Sequence, residues 1–126
     1  MKILVVDDEK DIQRLFEQRF CKERRSGQLE FTFAYSAAEA LTFLEADAPA
    51  DLALILTDIN MPEMSGLELL KIIRNKYPTQ KVFMITAYDD THFRQQAQAY
   101  GADDFLTKPI DFEVLKEKIF DGDLSK

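Results

Sequence analysis

Leu54-Ile55-Leu56-Thr57-Asp58-Ile59-Asn60-Met61-Pro62-Glu63-Met64-Ser65-Gly66 is the stretch from which the architecture is read. An apolar run stops abruptly on a carboxylate. A Pro-containing turn follows, and Ser65-Gly66-Leu67-Glu68 opens the next helix as a capping box. The pattern describes a buried strand that delivers Asp58 to its carboxyl end, where open α/β sheets bind ligands. Asp also starts turns for purely local reasons. The other segments decide between these readings by what they send to the same rim.

Upstream, Ile3-Leu4-Val5-Val6 is a continuous apolar run, the signature of a strand covered on both faces, and it stops at Asp7-Asp8-Glu9. Ile12, Leu15, Phe16, Arg19 and Phe20 then recur at helical spacing until Ser26-Gly27. Glu30 to Tyr35 alternates, with its aromatics on one face, as a half-exposed edge strand does. Ser36-Ala37-Ala38-Glu39 is a second capping box, opening a helix with Ala40, Leu41 and Leu44 inward; Pro49 falls in the loop before the central strand.

Downstream, the helix after Gly66 carries Leu69, Leu70, Ile72, Ile73 and Tyr77 and is stopped by Pro78. Lys81 to Thr86 is a fourth strand. The helix from about Asp90 to Tyr100 buries only Phe93, Ala97 and Tyr100, so it is expected to be the least anchored. Gly101 ends it. Asp104 to Thr107 is a short fifth strand, followed by Lys108-Pro109 and a final helix capped by Asp111, with Leu115 and Ile119 inward.

Five strands alternating with five helices define an α/β fold. The two-sided runs belong in the centre, and the alternating second strand and short fifth strand at the edges. That assignment fits a flavodoxin-like, doubly wound parallel sheet of order 2-1-3-4-5, whose switch point lies between strands one and three. Residues 1–121 form one domain, and 122–126 read as a tail or the start of a linker; the chain is either a stand-alone domain or one cut from a longer protein, and the short last helix tips the expectation to the latter.

A net charge of −7 argues against direct nucleic-acid binding, because phosphate contacts need clustered Lys and Arg. The short run Lys22-Glu23-Arg24-Arg25 sits at a helix end, where it complements the helix dipole. The single cysteine, Cys21, excludes an internal disulfide and suits a reducing compartment; beside Phe20 it reads as packing. The first residues turn acidic too early for a signal peptide, and no apolar run is long enough to span a bilayer. The expectation is a cytoplasmic domain without membrane contact. His92, the lone histidine, sits near a helix start and is assigned no role.

The strand order has a chemical consequence. Strands one and three become neighbours, so Asp7, Asp8 and Asp58 meet in one crevice, with Thr86 and Lys108 delivered beside them by strands four and five. Carboxylates a few ångströms apart repel by about 4 kcal/mol per pair at an effective dielectric near 20. Either some of their pKa values rise or a cation occupies the site. Oxygen donors without His or Cys select a hard ion, Mg²⁺ or Mn²⁺.

Asp7-Asp8 after the first strand, Asp58 with Met61-Pro62 and Gly66 behind it, Thr86-Ala87 and Lys108-Pro109 together resemble the receiver domain of two-component response regulators. The resemblance covers residues 2–120 and is specific in combination, although each dipeptide alone is weak. It implies that Asp58 is a phosphoacceptor for a phosphohistidine on a partner histidine kinase or phosphotransfer protein. It implies Mg²⁺ held by Asp8, Asp58 and the backbone carbonyl of Asn60, with Asp7 helping. Thr86 and Lys108 would contact the phosphoryl oxygens, and the Lys108–Pro109 bond would be cis. Asn60 and Tyr88 would tune dephosphorylation. Thr86 would couple to Phe105, where many relatives carry Tyr, and so to an output surface made of the fourth helix, fifth strand and fifth helix. That surface would serve an output domain, a downstream protein or a homodimer partner.

The energetics fit such a switch. An aspartate attacking a phosphoryl group meets charge on charge, which a divalent cation and an ammonium offset. Charge-assisted hydrogen bonds are worth about 1.5–3 kcal/mol each. Two approach the roughly 5.5 kcal/mol that moves a two-state equilibrium from 1:99 to 99:1.

Three other readings compete. An aspartate-nucleophile phosphatase wants a second Asp two residues after the first as general acid and base, and Asn60 stands there. A nucleotide or flavin binder wants a glycine-rich first turn, whereas Asp8-Glu9-Lys10-Asp11 is acidic and glycine-free. A receiver-like module that takes no phosphate and serves as an interaction domain would not need all five site residues. The expectation is therefore a signalling domain that catalyses its own phosphoryl transfer and hydrolysis, without turnover of an external substrate.

Overall fold

The computed structural model describes residues 1–46, 51–61, 63–87 and 91–120. In chain order the elements are β1 (Lys2–Val6), α1 (Asp11–Arg19), α2 (Cys21–Arg25), β2 (Glu30–Ala34), α3 (Ala37–Ala46), β3 (Leu52–Asp58), α4 (Gly66–Lys76), β4 (Val82–Ala87), α5 (Thr91–Ala99), β5 (Asp104–Lys108) and α6 (Phe112–Phe120). All five strands are parallel in the order β2-β1-β3-β4-β5. The doubly wound sheet read from the sequence is therefore present, with the alternating and the short strands at its two edges.

Strand periodicity sorts the core into two layers. Ile3, Val5, Leu54, Leu56, Phe83 and Ile85 pack on one face against Phe16 and Phe20 and against Leu115 and Ile119 of α6. Leu4, Val6, Ile55 and Met84 point to the other face and meet Ala40, Leu44, Leu69, Leu70, Ile73 and Ala97. Side chains cap the starts of α3, α4 and α6, whereas α1 and α2 have no side-chain cap. Ser36 Oγ accepts from Glu39 N at 3.1 Å, Ser65 Oγ from Glu68 N at 3.3 Å, and Asp111 Oδ1 from Glu113 N at 3.0 Å.

The structure corrects the sequence on the helices. Six are present among the described residues, because the expected first helix breaks at Phe20. Phe20 leaves helical geometry at φ −109°, ψ 26°, and its N–H closes α1 on Phe16 O at 3.0 Å. Its ring is fully buried, stacked on Phe16 and packed against Phe31 and Phe112. Packing of one aromatic side chain thus coincides with the change of direction. Leu15, grouped with the core by its spacing, is 37% exposed.

The thin helix buries little, although the short α2 contributes no buried residue at all. Among side chains described, α5 contributes only Ala97 to the fully buried core, whereas α4 contributes five residues. Pro49, Pro62, Tyr88, Asp90 and the tail at 122–126 lie outside the described residues. No helix among those described is long and apolar enough to cross a membrane.

Candidate functional site

The site lies at the carboxyl edge of the sheet, and the strand pairing builds it. Val6 of β1 is opposite Thr57 of β3, so the next residue of each chain segment, Asp7 and Asp58, emerge side by side. Both are buried, Asp7 completely and Asp58 to within 3%. Asp8 is exposed above them. One carboxylate oxygen from each of these three residues lies within 4.8 Å of the others. On the far side of β3, Asp58 pairs with Ile85, and Thr86 follows it, buried and in register with Thr107 of β5. Lys108 ends β5 opposite Ala87, and the bond from it to Pro109 is cis.

Lys108 reaches back across β4 into the acidic crevice. Its Nζ stands 3.1 Å from Asp58 Oδ2, 3.1 Å from Asp7 Oδ2 and 3.7 Å from Glu9 Oε1. The approach to Asp58 is a hydrogen bond. The approach to Asp7 is close but off hydrogen-bond geometry, leaving Asp7 Oδ2 buried without a hydrogen-bond partner. The remaining oxygens are tied to the backbone: Asp7 Oδ1 accepts from Glu9 N at 2.9 Å and Asp58 Oδ1 from Asn60 N at 3.3 Å. These local turns fix the direction of both carboxylates.

The electrostatics reflect crowding. Burial, reinforced by the charge on Asp7, pushes the Asp58 carboxyl from 3.8 up to about 6, against the pull of Lys108 and of the Asn60 N–H. Burial likewise raises Asp7, although Glu9 N–H and Lys108 oppose it. For Lys108, burial favours the neutral amine, but Asp58 and Asp7 outweigh it and raise its pKa. One ammonium does not balance this set of acids. The donor set is all oxygen, and a buried carboxylate oxygen is left without a hydrogen bond, so Asp7, Asp8 and Asp58 fit a small hard divalent cation.

The loop after β3 closes over the site from behind. Gly66 N donates to Ile59 O at 2.8 Å, and a Cβ on Gly66 would stand 2.0 Å from the carbonyl oxygen of Asp58. Only glycine fits there. The sequence marked Gly66 as a helix start but gave no sign of this contact. In the sequence Glu9 is the third of three consecutive acids, and nothing there sets it apart from its neighbours. Spacing alone does not say which carboxylates of such a run turn towards a lysine almost 100 residues away. Asn60 is exposed, and Tyr88 lies outside the described residues. Phe105 is opposite Met84 and packs partly against the α3–α4–α5 layer, with the Arg94 guanidinium 5.6 Å from its ring centroid.

A doubly wound parallel sheet with two buried aspartates, a third exposed one and a lysine converging at its carboxyl edge defines an α/β protein with an acidic site that could hold a small hard cation. Comparison with known proteins narrows the class. The chain belongs to the response regulator receiver domain family, whose model it matches over residues 3–120. It is 41% identical over 118 residues to the response regulator protein PilR of Pseudomonas aeruginosa, covering 94% of this chain and 25% of that protein. The chain thus spans about a quarter of that relative. A chemotaxis protein CheY homolog of Campylobacter jejuni is 34% identical over 123 residues, covering 96% of this chain and 91% of that one. A CheY-like receiver domain structure from Methanospirillum hungatei superposes with a TM-score of 0.84 at 31% identity, covering 98% of this chain and 93% of that chain.

Proposed function

We propose that this receiver domain accepts a phosphoryl group on Asp58 from a phosphohistidine of a partner kinase or phosphotransfer protein. The observation that carries the reading is the placement of Lys108 Nζ, 3.1 Å from Asp58 Oδ2, inside the crevice shared with Asp7 and Asp8. An Asp58 carboxylate oxygen forms a bond to phosphorus as the P–N bond breaks, and the electron pair stays on the imidazole nitrogen, which takes up a proton. Asp7, Asp8, Asp58 and the Asn60 carbonyl would hold Mg²⁺, which supplies charge neutralisation to the transferring group. Lys108 neutralises a second oxygen and orients the group for in-line attack. Asn60 and Tyr88, each two residues beyond a site residue in the sequence, set the lifetime of the acyl phosphate.

The modified Asp58 carries added charge and new acceptor oxygens. Thr86 and Lys108 then turn towards them, and Phe105 changes its packing in response. What moves is the surface of α5, β5 and α6, the equivalent here of the fourth helix, fifth strand and fifth helix of the sequence reading. The small buried contribution of α5 supports its choice as the movable element. We place the protein in the cytoplasm as a signalling domain without external substrate turnover. Its surface is read by an output domain, a downstream protein or a second copy of the chain.

Intact-mass measurement after incubation with Mg²⁺ and acetyl phosphate tests the chemistry. A single phosphoryl adduct is expected in the wild type and none in Asp58→Asn; an unmodified wild type, or an adduct that persists in Asp58→Asn, refutes the assignment. Phe105→Ala tests the coupling. It is expected to take the adduct normally while losing the phosphorylation-induced change in amide hydrogen exchange over α5 and β5. A variant that keeps that change shows that Phe105 is not the relay.

A further inference from the structure

Asp7 and Asp58 hold the Lys108 ammonium from the protein side, but Glu9 approaches it from the solvent side. Its Oε1 is 3.7 Å from Nζ, and its side chain is 67% exposed. The backbone beneath it is fixed at both ends. Glu9 N donates to Asp7 Oδ1 at 2.9 Å, and Glu9 O accepts from Ile12 N at 3.1 Å at the start of α1. The Glu9 backbone is therefore held at the mouth of the crevice, and its carboxylate pairs with Lys108 from there. The function proposed above makes no use of it.

We infer that Glu9 is a positioning and selectivity residue for phosphoryl transfer, engaging the outward side of Lys108 and guarding the entrance against dianionic phosphodonors. The inference rests on Asp58 being the phosphoacceptor. Three carboxylates surround the Lys108 ammonium, Asp58 through a hydrogen bond and Asp7 and Glu9 as ion pairs. Of the three arms, the one to Glu9 is the longest and the most exposed, so it is the weakest and the one an arriving phosphoryl oxygen displaces. Until then the Glu9 charge faces whatever approaches. Its repulsion grows with the charge of the donor and is screened by salt.

Two small donors separate this effect from a merely structural one. In transfer from acetyl phosphate, an Asp58 oxygen bonds to phosphorus as the bridging P–O bond breaks, and the electron pair leaves with acetate. In transfer from phosphoramidate, the P–N bond breaks and the pair leaves with the nitrogen as ammonia. At neutral pH the first donor is a dianion, whereas the protonated nitrogen of the second removes one negative charge. Glu9 therefore discriminates against the acyl phosphate in favour of donors whose phosphoryl group sits on a protonated nitrogen.

The test follows Asp58 phosphorylation by intact mass in the full chain at saturating Mg²⁺, for wild type, Glu9→Gln and Glu9→Asp. Glu9→Gln is expected to accelerate transfer from acetyl phosphate on the order of threefold at low ionic strength, and transfer from phosphoramidate by less. The difference between donors should vanish at about 1 M salt, where the Debye length is about 3 Å. Glu9→Asp should retain most of the wild-type preference. Equal effects on both donors, a salt-independent effect, or no effect would each overturn the role of Glu9. A wild type that takes no phosphoryl group on Asp58 from either donor removes the phosphoacceptor reading as well, so the two failures are told apart.

Discussion

Each edge of the sheet holds a partly buried cation, and the two are satisfied in opposite ways. At the amino edge, Arg74 of α4 donates through NH1 to Pro78 O and Gln80 O at 3.0 and 2.7 Å, and through NH2 to Gly101 O and Asp103 Oδ2 at 2.6 and 3.1 Å. Three of these acceptors are neutral carbonyls and one is the Asp103 carboxylate, which Lys81 also approaches at 3.9 Å; Arg74 Nε is left buried without a hydrogen bond. The fork ties α4 to the loop before β4 and to the loop between α5 and β5. At the carboxyl edge, Lys108 faces Asp7, Asp58 and Glu9, with Asp8 beside them, and negative charge is in excess. The first cluster stabilises the fold outright. The second leaves a cost in the folded state that binding of a cation can relieve.

The largest expected effect lies at the amino edge. Arg74→Ala leaves carbonyls in loops on both sides of β4 without their donor and should lower stability by about 3 kcal/mol in urea denaturation. Loss of less than roughly 1 kcal/mol would show that the fork is incidental and break the contrast.

A smaller change of opposite sign is expected at the crowded edge. The folded state raises the Asp58 pKa to about 6 from 3.8, so it favours the protonated form. That contribution is complete below the unfolded value and is lost as pH rises through the folded one. At pH 7.5 without divalent cations, Asp58→Asn should therefore be more stable than wild type by about 1–3 kcal/mol. The gap should narrow towards pH 4 and on addition of Mg²⁺. Chemical denaturation at both pH values, with and without the metal, checks the sign. Wild type more stable than Asp58→Asn at pH 7.5 in chelator would mean that Lys108 overcompensates the acids.

The two edges also differ in how much of them the sequence disclosed. Asp7, Asp8, Asp58, Thr86 and Lys108 were legible because each ends an apolar strand run, and the strand order carries them to one rim. Arg74 was invisible in that reading. It stands between Ile73 and Asn75 in an ordinary amphipathic helix, and its acceptors are backbone carbonyls, which leave no trace in residue type.

By itself the chain determined the alternation of elements, the strand order and the identity of the crevice, because hydrophobic period and turn chemistry are local properties that each segment carries with it. Only the tertiary structure decided that Phe20 breaks the first helix, that Gly66 must lack a side chain beneath the Asp58 carbonyl, and that Glu9 faces Lys108. Each depends on atoms brought together from distant segments or across a turn. Such contacts are set by the distance and direction of side chains after the layers have packed, and a one-dimensional pattern does not encode them.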